Sequence, residues 1–553
     1  MIKEEWTPKF FSLLKGGISP QQARQDVISG ILVGIIALPL AIAFAIASGV
    51  SPDKGIITAI IAGFIISLLG GSRVQIGGPT GAFIVIVAGI IHQYGIEGLL
   101  IATVMAGIFL ILMGLLKMGS LLKYIPQTLI TGFTSGIAVI IFTTQIKDFL
   151  GIDVPGIPEP FLTKWLYYFR NLGKINPASL SIGLVTIFIL MGLPKLTKKI
   201  PPAITAIILT TAVVKLAQIP VETIYTRFGN ISFQMIKPGL PEFDMQTLGA
   251  LVTPALSIAI LGSLESLLSA VVADGMIGGS HRSNVELIAQ GIANVVTPFF
   301  GGIPATGAIA RTAANIKNGG RSPIAGIVHA LTLLVIYVVA MPVVKFIPLA
   351  TLAGILIVVS WNMGEFKEFS NIIRINRYEA LVLLATFLLT LFTDLTIAIP
   401  VGFIMAVILF MKRMADSVEI SPLLTSKAGD GKLFSNELGE HSENIIIYEL
   451  NGPMFFGSVH HLLNINKEIK PNHSILILRF RYVPIVDASG LNKLKNIIRN
   501  LQKKDVKILY SGVNEMIIKK FLNQNIADES CLFKDIQSAL AFAEESVKSN
   551  SSS

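Results

Sequence analysis

From Val27 to about residue 410 the chain is a succession of apolar segments, each long enough to cross or nearly cross a bilayer. That limits it to folds in which every backbone polar group is satisfied internally, which means helices or a closed barrel. The segments read as 27–49, 55–70, 79–92, 97–116, 125–146, 179–194, 200–218, 247–273, 284–300, 306–316, 323–344, 348–362, 378–393 and 395–411, fourteen in all. Their lengths suit helices, and the third and tenth fall short of the ~20 residues a full span needs, as half-helices would. Charged residues make up 14% of the chain and mean hydropathy is +0.70. Soluble domains carry roughly 25% charged residues, so an integral membrane protein is expected. The run 27–49 is too long for a signal-peptide core and lacks a clean cleavage site, so no cleavable leader is expected.

The placement of charge tests this count. Residues 1–26 are polar and basic, and with them on the cytoplasmic side the inner connections carry Arg73, Lys117, Lys123, Lys195, Lys198, Lys199, Arg282, Lys317, Arg321, Lys367, Arg374, Arg377, Lys412 and Arg413. The short outer connections at 93–96, 301–305 and 394 carry no Lys or Arg, and the longer ones at 151–178 and 219–246 mix signs. One miscounted span would scramble this asymmetry. The net charge of +10 therefore belongs to orientation in the cell (inner) membrane, with both termini cytoplasmic, and not to nucleic acid. Seven segments per half is an odd number, so the halves run in opposite directions as 7+7 inverted repeats, which places a transport site near the midplane where they meet.

Two interrupted stretches mark that place. GGIPATGAIARTAANIKNGGRSP at 301–323 lies between apolar segments yet is full of breakers: Gly301, Gly302 and Pro304 stop a helix, a short one is expected from near Thr306, and Gly319, Gly320 and Pro323 end it. GGPTGAF at 77–83 repeats the order Gly-Gly, Pro, Thr-Gly-Ala. A weaker echo sets AIASG at 45–49 against AVVADG at 270–275. Two ordinary loops sharing common loop residues would read alike, but each copy heads an apolar helical segment. Broken helices at membrane depth are tolerated where their backbone lines a cavity, and their N-terminal N–H groups suit an anion.

Few ionisable residues lie inside the apolar segments. Glu265, in LGSLESLLSAVVADG, has no charge for several residues on either side. A carboxylate there is by default a functional candidate, able to take up and release a proton, with a structural bond to a neighbouring helix as the plain alternative. Ser269 is one turn on, on the same helix face, and can share a substrate or ion with it. Arg311 is the cation of the tenth segment, and its fork fits carboxylate, sulfate or bicarbonate oxygens, unless it snorkels to the inner interface. Asp394 reads as an outer-turn residue, and His92 and His329 as packing or interfacial residues without metal-ligand partners at the right spacing. One cysteine, Cys531, excludes an intrachain disulfide. No nucleophile–base set, Gly-rich phosphate loop, metal site or cofactor motif is present, so no enzyme is expected.

After Arg413 the pattern changes. Residues 414–441 read as a linker, 442–547 as a small α/β domain, and 548–553 as a disordered tail. Strands are expected at NIIIYEL, SILILRF and VKILYSGV, and helices near 458–469, from about 489, at 515–523 and at 535–546. VDASGL at 486–491 puts Asp487 and Ser489 where a side chain would cap a helix.

GGPTGAF, TGFTSGI (131–137), LGSLESLLSAVVADGM (261–276) and NVELIAQGIANVVTPFFGGIPATGAIARTAAN (284–315), together with this C-terminal domain, resemble the sulfate permease (SulP) family of anion transporters over nearly the whole chain. The ESLL, DGM and AIAR patterns are similar to those of a bacterial C4-dicarboxylate transporter of the family. The resemblance implies a core and a gate domain, a substrate between the N-terminal ends of segments three and ten, elevator-like alternating access and a homodimer. Carried over by position, Thr80, Gly81, Ala308, Ile309, Ala310 and Arg311 line the anion site; Ala310 stands where animal members keep a serine. Glu265 stands where sodium-coupled bicarbonate members carry aspartate, so the implied coupling ion is a proton, with sodium as the alternative. The C-terminal domain resembles the anti-sigma-factor-antagonist (STAS) module, with Ser489 at its phosphorylatable serine. The expected activity is secondary transport of a small anion, with a C4-dicarboxylate favoured and sulfate or bicarbonate as alternatives. Dissipative conduction by a channel is the competing class.

Overall fold

The computed structural model of the chain describes residues 5–120, 126–152, 158, 160–197, 200–229, 245–393, 395–422, 444–458, 469, 471 and 473–551. It divides into two compact units, Met1–Phe403 and Ile404–Ser553.

The first unit is helical. A short amphipathic helix α1 (Lys9–Gly16) precedes α2 (Pro20–Ala47), α3 (Pro52–Leu69) and, after the two-residue strand β1 (Gly77–Gly78), α4 (Phe83–Leu115). Both α2 and α3 open on proline, whose missing N–H is not needed in a first turn. Gly95, at φ 68°, breaks α4 in a conformation that suits glycine. The third and fourth expected segments are thus two arms of one broken helix. There follow α5 (Gln127–Leu150), α6 (Phe161–Arg170), α7 (Pro177–Leu196), α8 (Pro202–Leu216) and the single turn α9 (Ile224–Phe228). The second half contains α10 (Met245–Ile277), α11 (Ser283–Val296), strand β2 (Thr306–Gly307), α12 (Ile309–Lys317) and α13 (Ile324–Val344). It ends with α14 (Leu349–Met363), α15 (Phe366–Ile375), α16 (Arg377–Phe392) and α17 (Leu395–Asp416), within which the boundary between units falls.

Each of the fourteen apolar segments contains a helix, though those at 79–92 and 306–316 start only at Phe83 and Ile309, and nine helices among the described residues are long and apolar enough to cross a membrane. The amphipathic helices α1, α6 and α15 were not expected. Asp394, Lys123, Lys198 and Lys199 lie outside the described residues, as does 230–244 of the outer connection.

Packing sorts the helices into two bundles. One contains α2, α3, α4 and α10–α13, and the other α5, α7, α8 and α14–α16. The first bundle draws the first four segments of each half, as inverted repeats require. Close approach depends on small residues: a side chain at Gly107 of α4 would meet the Gly291 carbonyl of α11 at 2.6 Å, and one at Gly291 would meet the Gly107 carbonyl at 2.6 Å.

The second unit is a five-stranded sheet, order β3 (Glu419–Pro422), β4 (Ile445–Asn451), β5 (Ile475–Tyr482), β6 (Lys507–Ser511), β7 (Leu532–Phe533), with β3 antiparallel and the rest parallel. Helices α18 (Ala488–Gln502) and α19 (Glu515–Asn523) cover one face, and α20 (Ile536–Ser551) covers the other. Central strand β5 is accordingly buried over its first six residues, as a parallel strand covered on both faces must be. Two boundaries differ from expectation. Residues 419–422, expected as linker, form the edge strand, and the tail expected from 548 is helical to Ser551. The linker residues 423–441 and most of the helix expected near 458–469 lie outside the described residues.

Candidate functional site

The two interrupted stretches meet. Gly77 pairs with Gly307 and Gly78 with Thr306 in an antiparallel ribbon, closed by Ala308 N donating to the Ile76 carbonyl at 2.8 Å. This corrects the expectation of a helix from Thr306: the pairing holds Thr306 and Gly307 extended, and α12 starts at Ile309. Just beyond the ribbon, α4 and α12 each begin without a side-chain cap; at the head of α4, Phe83 N and Ile84 N donate to the carbonyls of Thr80 and Gly81 at 3.4 and 3.1 Å.

One face of α10 fixes the ribbon. Gly307 N donates to Ser266 Oγ at 3.2 Å, Ser266 and Thr306 hydroxyls pair at 2.7 Å, and Thr306 donates to the Gly262 carbonyl at 2.8 Å. A second chain ties α12 to the approach to β1: Ile76 N donates to Thr312 Oγ1 at 3.0 Å, and Asn315 donates to the Val74 carbonyl at 2.8 Å. Asn294 of α11 satisfies both backbone groups of Ala305, each at 2.8 Å. These buried polar groups are paired, as a ribbon at this depth demands.

Glu265 sits one residue before Ser266. Its Oε2 accepts the Thr80 hydroxyl at 2.7 Å, so the carboxyl stands against the residue that precedes Gly81 at the head of α4. Thr80 and Glu265 are half-buried, whereas Ile309 and Ala310 are exposed and Ala308 is buried. Gly81 faces the other bundle: a side chain there would meet Ile141 of α5 at 3.3 Å and Met363 of α14 at 3.5 Å, beside Phe44 of α2 at 3.5 Å. Gly81 thus packs at the seam between the two bundles.

Two residues stand differently from the simple expectation. Ser269 does not join Glu265 through its hydroxyl; it is fully buried and donates to Thr312 Oγ1 at 3.2 Å. Arg311 neither snorkels nor opens to the surface. It is 2% exposed, its Nη2 donates to the Pro79 carbonyl, and its Nη1 has no hydrogen-bond partner among the described residues. It stands behind the turn that carries Thr80 and Gly81. His329 is fully buried, and neither ring nitrogen has a partner among the described residues. Among the described residues no group of His, Cys, Asp and Glu is placed to hold a metal. Ser489 is exposed in the first turn of α18, where Asp487 is the cap, accepting Gly490 N at 2.7 Å.

Sequence reasoning missed Ser266, Thr306, Asn294 and Thr312. A signal existed for Asn294: Glu286, Gln290 and Asn294 recur every four residues in an otherwise apolar helix. In the structure they form a ladder, with Gln290 donating to Glu286 at 2.9 Å and Glu286 accepting Gly71 N at 2.8 Å.

The chain is similar to known proteins over nearly its whole length. The family model described as "Sulfate permease family" matches residues 24–386, and that of the STAS domain matches 439–539. The chain is 41% identical over 505 residues to the "Putative sulfate transporter YvdB" of Bacillus subtilis, covering 90% of this chain and 93% of that protein. It is 31% identical to the "Bicarbonate transporter BicA" of a Picosynechococcus species, covering 92% and 93%. The solved transmembrane domain of a cyanobacterial BicA superposes with a TM-score of 0.61 over 70% of this chain and 98% of that one, at 31% identity. The anion transporter SLC26A9 shares the fold, with a TM-score of 0.88 over 99% of this chain and 94% of that one at 18% identity.

Proposed function

Because the chain belongs to the sulfate permease family, we propose that it is a proton-coupled secondary transporter of a small oxyanion, held between the starts of α4 and α12 and carried by relative movement of the two bundles. The observation that carries the proton is the Glu265 carboxyl on Thr80 at 2.7 Å, beside the head of α4. An ionised Glu265 repels an anion at those helix ends, and protonation removes a like charge. Proton and anion therefore promote each other's binding, and this linkage is reciprocal. In a bilayer, pairing one negative charge with one proton also lowers the cost of moving the occupied site.

Sulfate and bicarbonate take precedence over the C4-dicarboxylate suggested by the motifs, because the similar proteins are named for those anions. Alternating access is supported by a site bounded by both bundles, Gly81 facing Ile141 and Met363. Thr80, Gly81, Ala308, Ile309 and Ala310 take the anion, with Arg311 behind them supplying charge. The STAS domain serves as a cytoplasmic assembly or regulatory module of a homodimer.

The test is uptake of labelled sulfate, bicarbonate and succinate into proteoliposomes, under an imposed proton gradient and then a sodium gradient. Sulfate or bicarbonate accumulating above equilibrium with inward protons is expected. Accumulation driven by sodium alone would sink the proton reading, succinate as the preferred cargo would restore the dicarboxylate, and purely dissipative flux would make the protein a channel.

A further inference from the structure

A groove of about 460 Å³ lies away from the helix starts, where α8 of one bundle faces α2 and α13 of the other. Three stripes wall it: Ile204, Ile207 and Ile208 on α8, Leu38 and Ile42 on α2, and Ile336 and Ala340 on α13. The rim is apolar and outward-facing, with Val343 64% and Ile208 61% exposed, so in a membrane the groove opens to lipid.

Its polarity is graded. At the end where α8 and α13 stop, Lys215 lines the groove with its Nζ 4.2 Å from the Phe346 ring centroid, and Lys345 adjoins the same ring at 5.3 Å. One turn in from Lys215, Thr211 is buried, and its Oγ1 has no hydrogen-bond partner among the described residues. Its neighbour Thr210 by contrast donates to Ala206 of its own helix at 2.7 Å. Beyond Thr211 the wall is aliphatic. Cation, unpartnered hydroxyl and hydrocarbon follow one another at the depths of a phospholipid's phosphate, ester and acyl chain. Its volume falls within the range of ligand pockets, and basic pockets between spanning helices are where anionic headgroups bind.

We propose that this groove binds an anionic phospholipid, its phosphate at Lys215, an ester oxygen on Thr211 and an acyl chain along Ile207 and Ile204. Because the walls come from both bundles, the bound chain bridges them.

The test uses the full-length protein in phosphatidylcholine vesicles doped with a trace of acyl-diazirine phosphatidylglycerol or, separately, acyl-diazirine phosphatidylcholine. After photolysis, labelled peptides are mapped by mass spectrometry. The phosphatidylglycerol probe is expected to label 204–215 and 336–347 well above an equally exposed face such as Leu184–Met191. Ala340→Phe, which fills the groove, is expected to abolish that excess. Lys215→Glu, at the exposed mouth and outside the packed interior, is expected to lower the preference for phosphatidylglycerol by roughly fivefold or more without loss of folded protein. Labelling that follows exposed area alone means annular lipid only and overturns the proposal, as does a phosphatidylglycerol preference unchanged in Lys215→Glu.

Discussion

Glu265 is half-buried and Arg311 buried, each in a helix, and each is held by one short-range partner, Thr80 and Pro79. Those partners are adjacent in the turn that leads into α4, so carboxyl and guanidinium meet the same turn from two helices, one at the Thr80 hydroxyl and the other at the Pro79 carbonyl. Glu265→Gln separates ionisation from shape, since the amide keeps an acceptor for Thr80 and cannot lose a proton. In the native protein the apparent KM for the anion should fall on the order of tenfold between pH 8 and pH 6, a typical coupling between two sites. The variant should lose that dependence and its uphill accumulation while still binding anion. An unchanged pH profile in proteoliposome uptake would move the coupling elsewhere. That Glu265 stands alone as a carboxyl within a long apolar helix was legible from the absence of charge around it. Where Arg311 points was not: spacing places a residue on a helix, but whether its fork meets ligand or a carbonyl depends on the Gly78–Pro79 turn, 232 residues away.

Among elements, the helices were legible and the ribbon was not, for a physical reason. A membrane helix satisfies its own backbone, so each of the fourteen segments announces itself by length and hydropathy. The ribbon satisfies its backbone with a stretch from the other half of the chain, and glycine-rich sequence carries no periodicity to reveal the partner. The same blindness hid β3, whose pairing with β4 overrides a Ser- and Pro-containing sequence that reads as linker. The repeat of Gly-Gly, Pro and Thr-Gly-Ala was the available clue, and it located the meeting point without its geometry. Because α10 fixes the ribbon through Ser266, that hydroxyl should act on the site at one remove. Ser266→Ala leaves Gly307 N buried without its acceptor, a loss of about 1–3 kcal/mol. A lower unfolding temperature and a raised KM are expected, with the pH dependence of uptake intact because Glu265 is untouched. Thermal unfolding and KM measured together decide it: a raised KM at native stability would mean that Ser266 touches the anion itself.

For the transport unit as a whole, the proposed movement of the two bundles raises the question of what joins them. The connection from α8 to α10 contains α9, and that from α13 to α14 spans 345–348. These two pair with each other: Ile224 N donates to the Ile347 carbonyl at 3.0 Å, Tyr225 N to Lys345 at 2.8 Å and Leu349 N to Glu222 at 2.9 Å. Arg227 then pins the pair to the bundle of α5, donating to Asp148 at the end of that helix from both terminal nitrogens, at 3.0 and 2.6 Å, and to Glu222. A planar bidentate contact of this kind fixes direction as well as distance. Braced in this way, both connections are tied to α5. Asp148→Asn keeps the shape and removes the charge. The side chains of Arg227 and Asp148 are 23% and 14% exposed, so solvent screens the pair and the stability cost is small, about 1 kcal/mol. The larger effect should be on rate, because an unbraced connection absorbs part of the bundle displacement instead of transmitting it. Turnover in proteoliposomes is expected to fall several-fold while anion affinity, measured by equilibrium titration, stays at the native value. Native turnover in Asp148→Asn would show that the brace merely holds the surface together. A parallel loss of affinity would place the coupling between hinge and binding site in the resting structure instead of in the movement.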